Sequence, residues 1–330
     1  MYNRQDSETL QQPLVTFIVA YYNLPVAMLR ECLDSIFALS LSKAEREVVL
    51  IDDGSDNSPL VELHDCLDNL IYIRQQNAGL SQARNRALQM ASGRYVQFVD
   101  ADDFLLQAPY EHCLDLVRRG KADVVMFDTT DEPDDSQQAN YETADLKSGT
   151  EYLAHHNLHA SACAYLFRRA ILGELRFTPG IYHEDEEFTP QLLLRADSVC
   201  STDAQAYYYR QRPHSITTET DARTVIRRLN NSLQVINKLN RLADTLPTNE
   251  RLALQRRVAQ LTMDYIYNII MQTRNRHYLD RKLSELRKTG LFPLPDRSYT
   301  TKYKWFRRLT NSTLGLTLLM NVLPMLNKDR

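Results

Sequence analysis

The chain has 330 residues, with 39 Lys and Arg against 42 Asp and Glu, and is 43% hydrophobic and 25% charged. That is the make-up of a globular protein long enough for two domains, not of a disordered or fibrous chain. The charge is divided unevenly: residues 221–330 hold 21 basic and 8 acidic residues, a net of +13, which leaves −16 on the first 220.

The start, MYNRQDSETLQQ, is polar and has no apolar stretch of the kind a secretory signal requires. Next comes LVTFIVAYY, residues 14–22, whose continuous apolarity predicts a buried, parallel-type strand. Helical spacing follows over 28–39, and EVVLI at 47–51 predicts a second strand ending in Asp52-Asp53-Gly54-Ser55. A helix is expected over 57–67, a strand over 70–73 and a helix over 80–90. YVQFV at 95–99 is a fourth strand, ending in Asp100-Ala101-Asp102-Asp103. A helix over 109–119 and a strand over 123–127 continue the alternation. Residues 128–146 are acidic and read as a solvated loop. Tyr207-Tyr208-Tyr209-Arg210 suggests a last strand, and 224–288 is helical and basic. Strands alternating with helices predict an α/β fold with a mostly parallel sheet, followed by an α-helical C-terminal region. The expected division is a polar leader 1–12, a catalytic domain 13–220 and a helical region 221–330.

Nine glycines, no two of them one residue apart, leave no GxGxxG fingerprint or P-loop. The five cysteines are scattered singly, which argues against a disulfide framework or zinc cluster and for a reducing, cytoplasmic setting. In open α/β sheets, ligands gather beyond the carboxyl ends of the strands, and two strands here end in carboxylates. Asp100 and Asp102 are two apart, so on extended backbone both face one way. Their repulsion is relieved by a hard cation such as Mg2+ or Mn2+, or the segment is a solvated turn capping the next helix. Asp52-Asp53-Gly54-Ser55 is either a structural turn, with Gly54 supplying a positive φ, or a carboxylate placed to accept hydrogen bonds from a base or ribose. Between these clusters, Gly79 precedes a helix whose first N–H groups suit an anion, and Arg84 is either an exposed helix residue or a clamp for a phosphate.

FIVAYYN, IDDGSDNS, QNAGLSQARNRAL, SGRYVQFVDADD, HEDEEF and YYYRQRPHSIT, in this order over residues 14–218, resemble the family 2 glycosyltransferases of GT-A fold. The resemblance implies a nucleotide-diphosphate-sugar donor, most simply UDP-linked, held by Ala20, Tyr22, Asp52, Asp53, Asn77, Arg84, Asp100 and Ala101. His214 and Ser215 would lie by the diphosphate. It implies a metal contact, Mg2+ or Mn2+, at Asp102, a general base at Asp185, an orienting role for Glu184, and inversion at the anomeric carbon. Read without the resemblance, the 184–187 acidic run is a helix start favoured by the macrodipole. Glu186 and Glu187 are expected to be solvated either way.

Arginine pairs over 221–290 read as a solvated helix face, and no nucleic-acid-binding motif accompanies them. In the tail, 299–330, Lys302, Lys304, Arg307 and Arg308 surround Tyr303, Trp305 and Phe306. The apolar stretch 314–326 that follows is too short to span a bilayer. It reads as a peripheral contact with an anionic membrane face, or as a helix packed on the protein. The resemblance implies a glycan or lipid-linked glycan acceptor in polysaccharide biosynthesis. Two rival readings stand beside it: an Mg2+-dependent phosphotransfer protein, and a non-catalytic glycan- or nucleotide-binding module.

Overall fold

The computed structural model describes residues 12–132, 140–212 and 221–326. Contacts group them into two compact units. The first holds residues up to Gly149 with Ala160–Gly180 and Gln191–Arg212; the second holds Thr150–His159, Ile181–Pro190 and the chain from Pro213 on.

The first unit is built on one mixed sheet. Its strands are β1 (Val15–Tyr21), β2 (Arg46–Asp52), β3 (Ile71–Arg74), β4 (Tyr95–Asp100), β5 (Phe104–Leu105), β6 (Val124–Thr130), β7 (Tyr165–Arg168) and β8 (Val199–Tyr208), in the order β3-β2-β1-β4-β7-β6-β8-β5. The run β3-β2-β1-β4 is parallel, and the sequence explains why: β1, the Val48–Ile51 centre of β2 and most of β4 are apolar, as strands covered on both faces must be. Helix α1 (Val26–Phe37) buries Leu29, Cys32, Leu33 and Ile36, while α2 (Leu80–Met90) packs on β1 and β2 and α3 (Gln107–Arg118) on β6 and β8. The expected α/β sheet is therefore present. It is mixed because β7 runs antiparallel between β4 and β6, and β5 antiparallel to β8.

Two local expectations fail. Residues 57–67 form no α-helix; they hold a 3-10 turn at Pro59–Val61, and a second follows at Leu67–Asn69. Ser58 caps the first turn and Pro59 opens it, and i to i+3 backbone bonds such as Cys66 N to Leu63 O continue the tight winding. The acidic stretch after Phe127 is not loop throughout: β6 runs on to Thr130 beside β8, and Thr143 and Lys147 bridge to Thr202 and Val199. Residues 133–139 lie outside the described chain.

The second unit is helical: α4 (Gly149–His155) and α5 (Glu184–Leu193) enter it, joined by α6 (Ala222–Thr245), α7 (Thr248–Thr273), α8 (Arg276–Lys288), α9 (Thr301–Thr310) and α10 (Thr313–Leu326). Asp221 caps α6 by accepting from the amides of Arg223 and Thr224, and Asn275 and Thr300 cap α8 and α9. α7 is buried along most of its length, from Ala253 to Ile270. For Arg256 and Arg257, each 5% exposed, this overturns the reading of a solvated arginine face, whereas Arg227, Arg281 and Arg287 are exposed as expected. The two buried arginines are tolerated because acceptors meet them. Arg256 donates to the carbonyls of Leu153 and His156 and to Asn157 Oδ1, and Arg257 to the carbonyl of Leu158 and to Glu186. Among the described residues, no helix is long and apolar enough to cross a membrane.

Arg256→Ala leaves several buried acceptors unmet, each costing about 1–3 kcal/mol. Denaturant unfolding should show a loss of at least about 2 kcal/mol; a change below about 0.5 kcal/mol, typical of a surface site, would refute the burial argument.

Candidate functional site

Because β1, β2 and β4 are parallel neighbours, their carboxyl ends share one edge of the sheet. The register sets Tyr21 opposite Asp52, and Ala20 opposite both Ile51 and Asp100. Asp52-Asp53 and Asp100-Ala101-Asp102 therefore emerge on either side of Ala20. Tyr22, just past β1, is 48% exposed, and Asn77 is exposed in the loop between β3 and α2, whereas Ala101 is buried. His214 and Ser215 lie outside the described residues.

The two carboxylates after β2 are engaged by their surroundings. Asp52 is fully buried; its oxygens accept from Ser55 N at 2.9 Å and Tyr72 Oη at 2.9 Å. Asp53, 3% exposed, accepts from Gln75 Nε2 at 2.6 Å, Ala78 N at 3.0 Å and Gly79 N at 2.8 Å. The amides of Ala78 and Gly79, just before α2, are thus turned to an internal anion. Gly54 is required between them: its φ is +78°, and a Cβ there would stand 2.7 Å from Asn77 N.

The β4 end differs in that its carboxylates are hydrogen-bonded to arginines, whereas at the β2 end Arg74 Nε only approaches Asp52, at 3.7 Å. Arg84, 3% exposed on α2, donates Nη2 to Asp100 Oδ1 at 2.8 Å, and its guanidinium lies 5.6 and 5.4 Å from the ring centres of Phe98 and Phe177. Asn85 fixes that wall by exchanging two hydrogen bonds with the backbone of Phe177. The Asp100 side chain keeps 34% of its surface accessible. Asp102, at 18%, accepts from Arg212 Nε at 2.6 Å. Burial raises its carboxyl above the usual range, as does the charge of Asp100, while Arg212 opposes the rise. Asp103 is buried, accepts from Tyr207 Oη at 2.7 Å and Arg210 N at 2.8 Å, and is pushed up to about 7 by burial and then by Asp100. Tyr207 Oη also accepts from Asp100 N, at 3.1 Å. Arg212, Tyr207 and Asp103 were not singled out from sequence. The quoted YYYRQRPHSIT contains two of them, but nothing in its pattern names their partners.

The acidic run belongs to the second unit. His183 stands at φ +64° before α5, whose first turn is Glu184, Asp185, Glu186 and Glu187. Glu184 and Asp185 are partly exposed. Glu186 and Glu187 are not solvated residues: Glu186 is paired with the buried Arg257, and Glu187, 3% exposed, with Lys238.

No cluster of three or more His, Cys, Asp or Glu side chains able to hold a metal occurs among the described residues. The β4 end can supply one or two hard oxygen donors. That suits Mg2+ or Mn2+ if phosphate oxygens and water complete the shell.

Residues 16–176 match the family described as Glycosyl transferase family 2. The chain is 30% identical over 224 residues to a protein named uncharacterized glycosyltransferase EpsJ of Bacillus subtilis, covering 62% of this chain and 63% of that one. It thus spans less than two thirds of that relative's length. Among solved structures, S. aureus TarS 1-349 superposes with a TM-score of 0.65 at 19% identity, over 96% of this chain and 92% of that one. TarS has also been solved with UDP-GlcNAc. A mannosyltransferase, PcManGT from Pyrobaculum calidifontis, in complex with GDP-Man and Mn2+, superposes at 0.56 with 16% identity, over 96% and 88% of the two chains. These likenesses bear out the expected GT-A-like fold.

Asp103 gives the site a pH signature. The native protein holds this proton up to about pH 7, whereas an unperturbed aspartate, with an ordinary value of 3.8, releases it far lower. The group's contribution to stability is thus full below the lower value and declines as pH rises towards the upper one. Asp103→Asn removes that decline, so its stability deficit against wild type should shrink between pH 5 and pH 7.5 in paired urea titrations. A deficit independent of pH would contradict the elevated carboxyl.

Proposed function

We propose that the chain, whose residues 16–176 match glycosyl transferase family 2, transfers a sugar from a nucleotide-diphosphate donor, UDP-linked, to a hydroxyl of a glycan or lipid-linked glycan in polysaccharide biosynthesis. The observation that carries this reading is the register of β1, β2 and β4, which gathers Ala20, Asp52, Asp53, Asp100 and Asp102 at one sheet edge. In this proposal residues 13–220 carry the catalysis and residues 221–330 a separate role.

Ala20, Tyr22 and the Asp52-Asp53 turn would line the base, with Asn77 beside them. Asp53 is already held by three donors, so it would act as a preset wall as well as an acceptor. Asp100 would take the ribose and Ala101 its backbone surroundings, with His214 and Ser215 on the diphosphate side. Asp102 would hold Mg2+ or Mn2+, which when bound supplies positive charge to the departing diphosphate. Arg84, fixed by Asp100 and two aromatic rings, adds a preorganised positive charge near the diphosphate. Asp185 would take the proton of the attacking hydroxyl, a contribution of roughly 10²–10⁴-fold for a positioned base, and Glu184 would orient it. A single displacement inverts the anomeric centre.

The α9–α10 tail supports a peripheral membrane contact. α10 carries no charged residue over Thr313–Leu326, buries Leu316 and Leu319, and leaves Leu314, Leu318, Val322 and Met325 exposed at 85, 50, 38 and 70%. Trp305, 59% exposed, lies beside Arg308 on basic α9. The five cysteines are free and buried, which fits a cytoplasmic, reducing setting.

A screen of sugar nucleotides with Mn2+ and with EDTA should find one donor that is hydrolysed or raises the melting temperature in the metal-containing arm; silence across the panel would end the proposal. Asp185→Asn should keep donor binding but lose at least about a hundredfold in turnover, whereas a phosphotransfer protein would keep its rate. For the tail, co-sedimentation with anionic liposomes should fall on deleting residues 299–330; equal binding by both forms rejects the contact.

A further inference from the structure

Asp102 is the carboxylate on which the proposed cation depends, yet it is already neutralised from within the chain. Arg212 reaches it with two nitrogens, Nε at 2.6 Å and Nη2 at 2.5 Å, both directed at Oδ2. The segment bearing Arg212 is fastened to the same turn twice more: Arg210 N donates to Asp103 Oδ1 at 2.8 Å, and Arg210 Nε to the carbonyl of Asp102 at 2.8 Å. Asp100 is unlike it, since its partner Arg84 is buried on α2 and packed between aromatic rings. Arg212 keeps a quarter of its side-chain surface in solvent, at 25%. One guanidinium is therefore built in and the other stands at the rim.

A guanidinium and a divalent cation cannot share Oδ2, because both need its lone pairs and they repel one another. We propose that Arg212 is an internal counter-ion that competes with the divalent cation for Asp102, so that the cation enters only as the guanidinium leaves. The proposal rests on the reading of Asp102 as the metal contact. It makes the carboxylate a two-state group, closed by Arg212 or open to a cation. It also lowers the affinity of the nucleotide-free protein for metal by the free energy of the ion pair.

Mn2+ binding to the full chain without nucleotide, measured by titration calorimetry and by the electron paramagnetic resonance signal of free Mn2+, tests it. Arg212→Gln should bind Mn2+ about tenfold more tightly than wild type, the factor that corresponds to ~1.4 kcal/mol of ion pair. Arg30→Gln, which removes the same charge from a pair with Asp65 elsewhere, should bind as wild type does. Unchanged or weaker binding by Arg212→Gln, or an equal gain in Arg30→Gln, overturns the competition. Adding Asp102→Asn to Arg212→Gln should abolish the gain. If the gain persists, Asp102 is not the metal contact and the reading beneath the proposal fails instead. Should Arg212→Gln not fold, Arg212→Lys, which cannot make the two-nitrogen contact, should still bind Mn2+ more tightly than wild type, and no gain there counts against the proposal.

Discussion

Five carboxylates crowd the carboxyl edge of a parallel sheet, and each must be met by a donor or the edge could not close. Burying an unpaired charge costs several kcal/mol, more than most single contacts return. The chain meets this constraint in two ways. Asp52 and Asp53 are met chiefly by backbone amides and uncharged side chains, with Arg74 Nε standing 3.7 Å from Asp52, so they act as staples for the turns around them. Asp100 and Asp102 are met by arginines, keep part of their surface open, and hold charge that another ligand can claim. Asp103 falls between, held by Tyr207 and an amide and inclined to keep its proton. The distinction between scaffold and partly open acid thus follows from burial and from the donors around each carboxylate, not from the residue type.

The helical unit solves the mirror problem. There the buried charges include the guanidinium groups of Arg256 and Arg257, and their compensation comes from carbonyls, Asn157 and Glu186. The first turn of α5 then divides into two halves: Glu186 and Glu187 are committed to ion pairs with α7 and α6, which fixes the turn that presents Glu184 and Asp185. What composition showed as a basic region is in part an interior.

Much of the sheet was legible because burial on both faces writes continuous apolar runs. β1, β2 and β4 fall within a residue or so of expectation, and α2 spans 80–90 as its spacing predicts. The carboxylate clusters were legible too, since strand ends are where such residues stand out. The four-residue β7 was not among the expected strands, although β3, equally short, was. Nor were the partners of the β4 acids legible: Arg212 lies 110 residues from Asp102, and Tyr207 104 from Asp103. Pairings at that separation leave no local pattern. Arg256 and Arg257 misled because a buried arginine and a solvated one look alike in a helical repeat; only the carbonyls facing them tell the two apart.

The arginine grip on residues 153–158 has a consequence for biogenesis. Its donors sit 99 to 103 positions downstream of their acceptors. At about 5–20 residues per second, a ribosome takes on the order of ten seconds to cover that gap. Throughout that interval the carbonyls of Leu153, His156 and Leu158 have only water for company. The sheet's strands are all made by residue 208, whereas the helical unit cannot close until α7 emerges. A nascent chain stalled between those points would expose a half-built helical unit, and that interval is when a chaperone has most to offer.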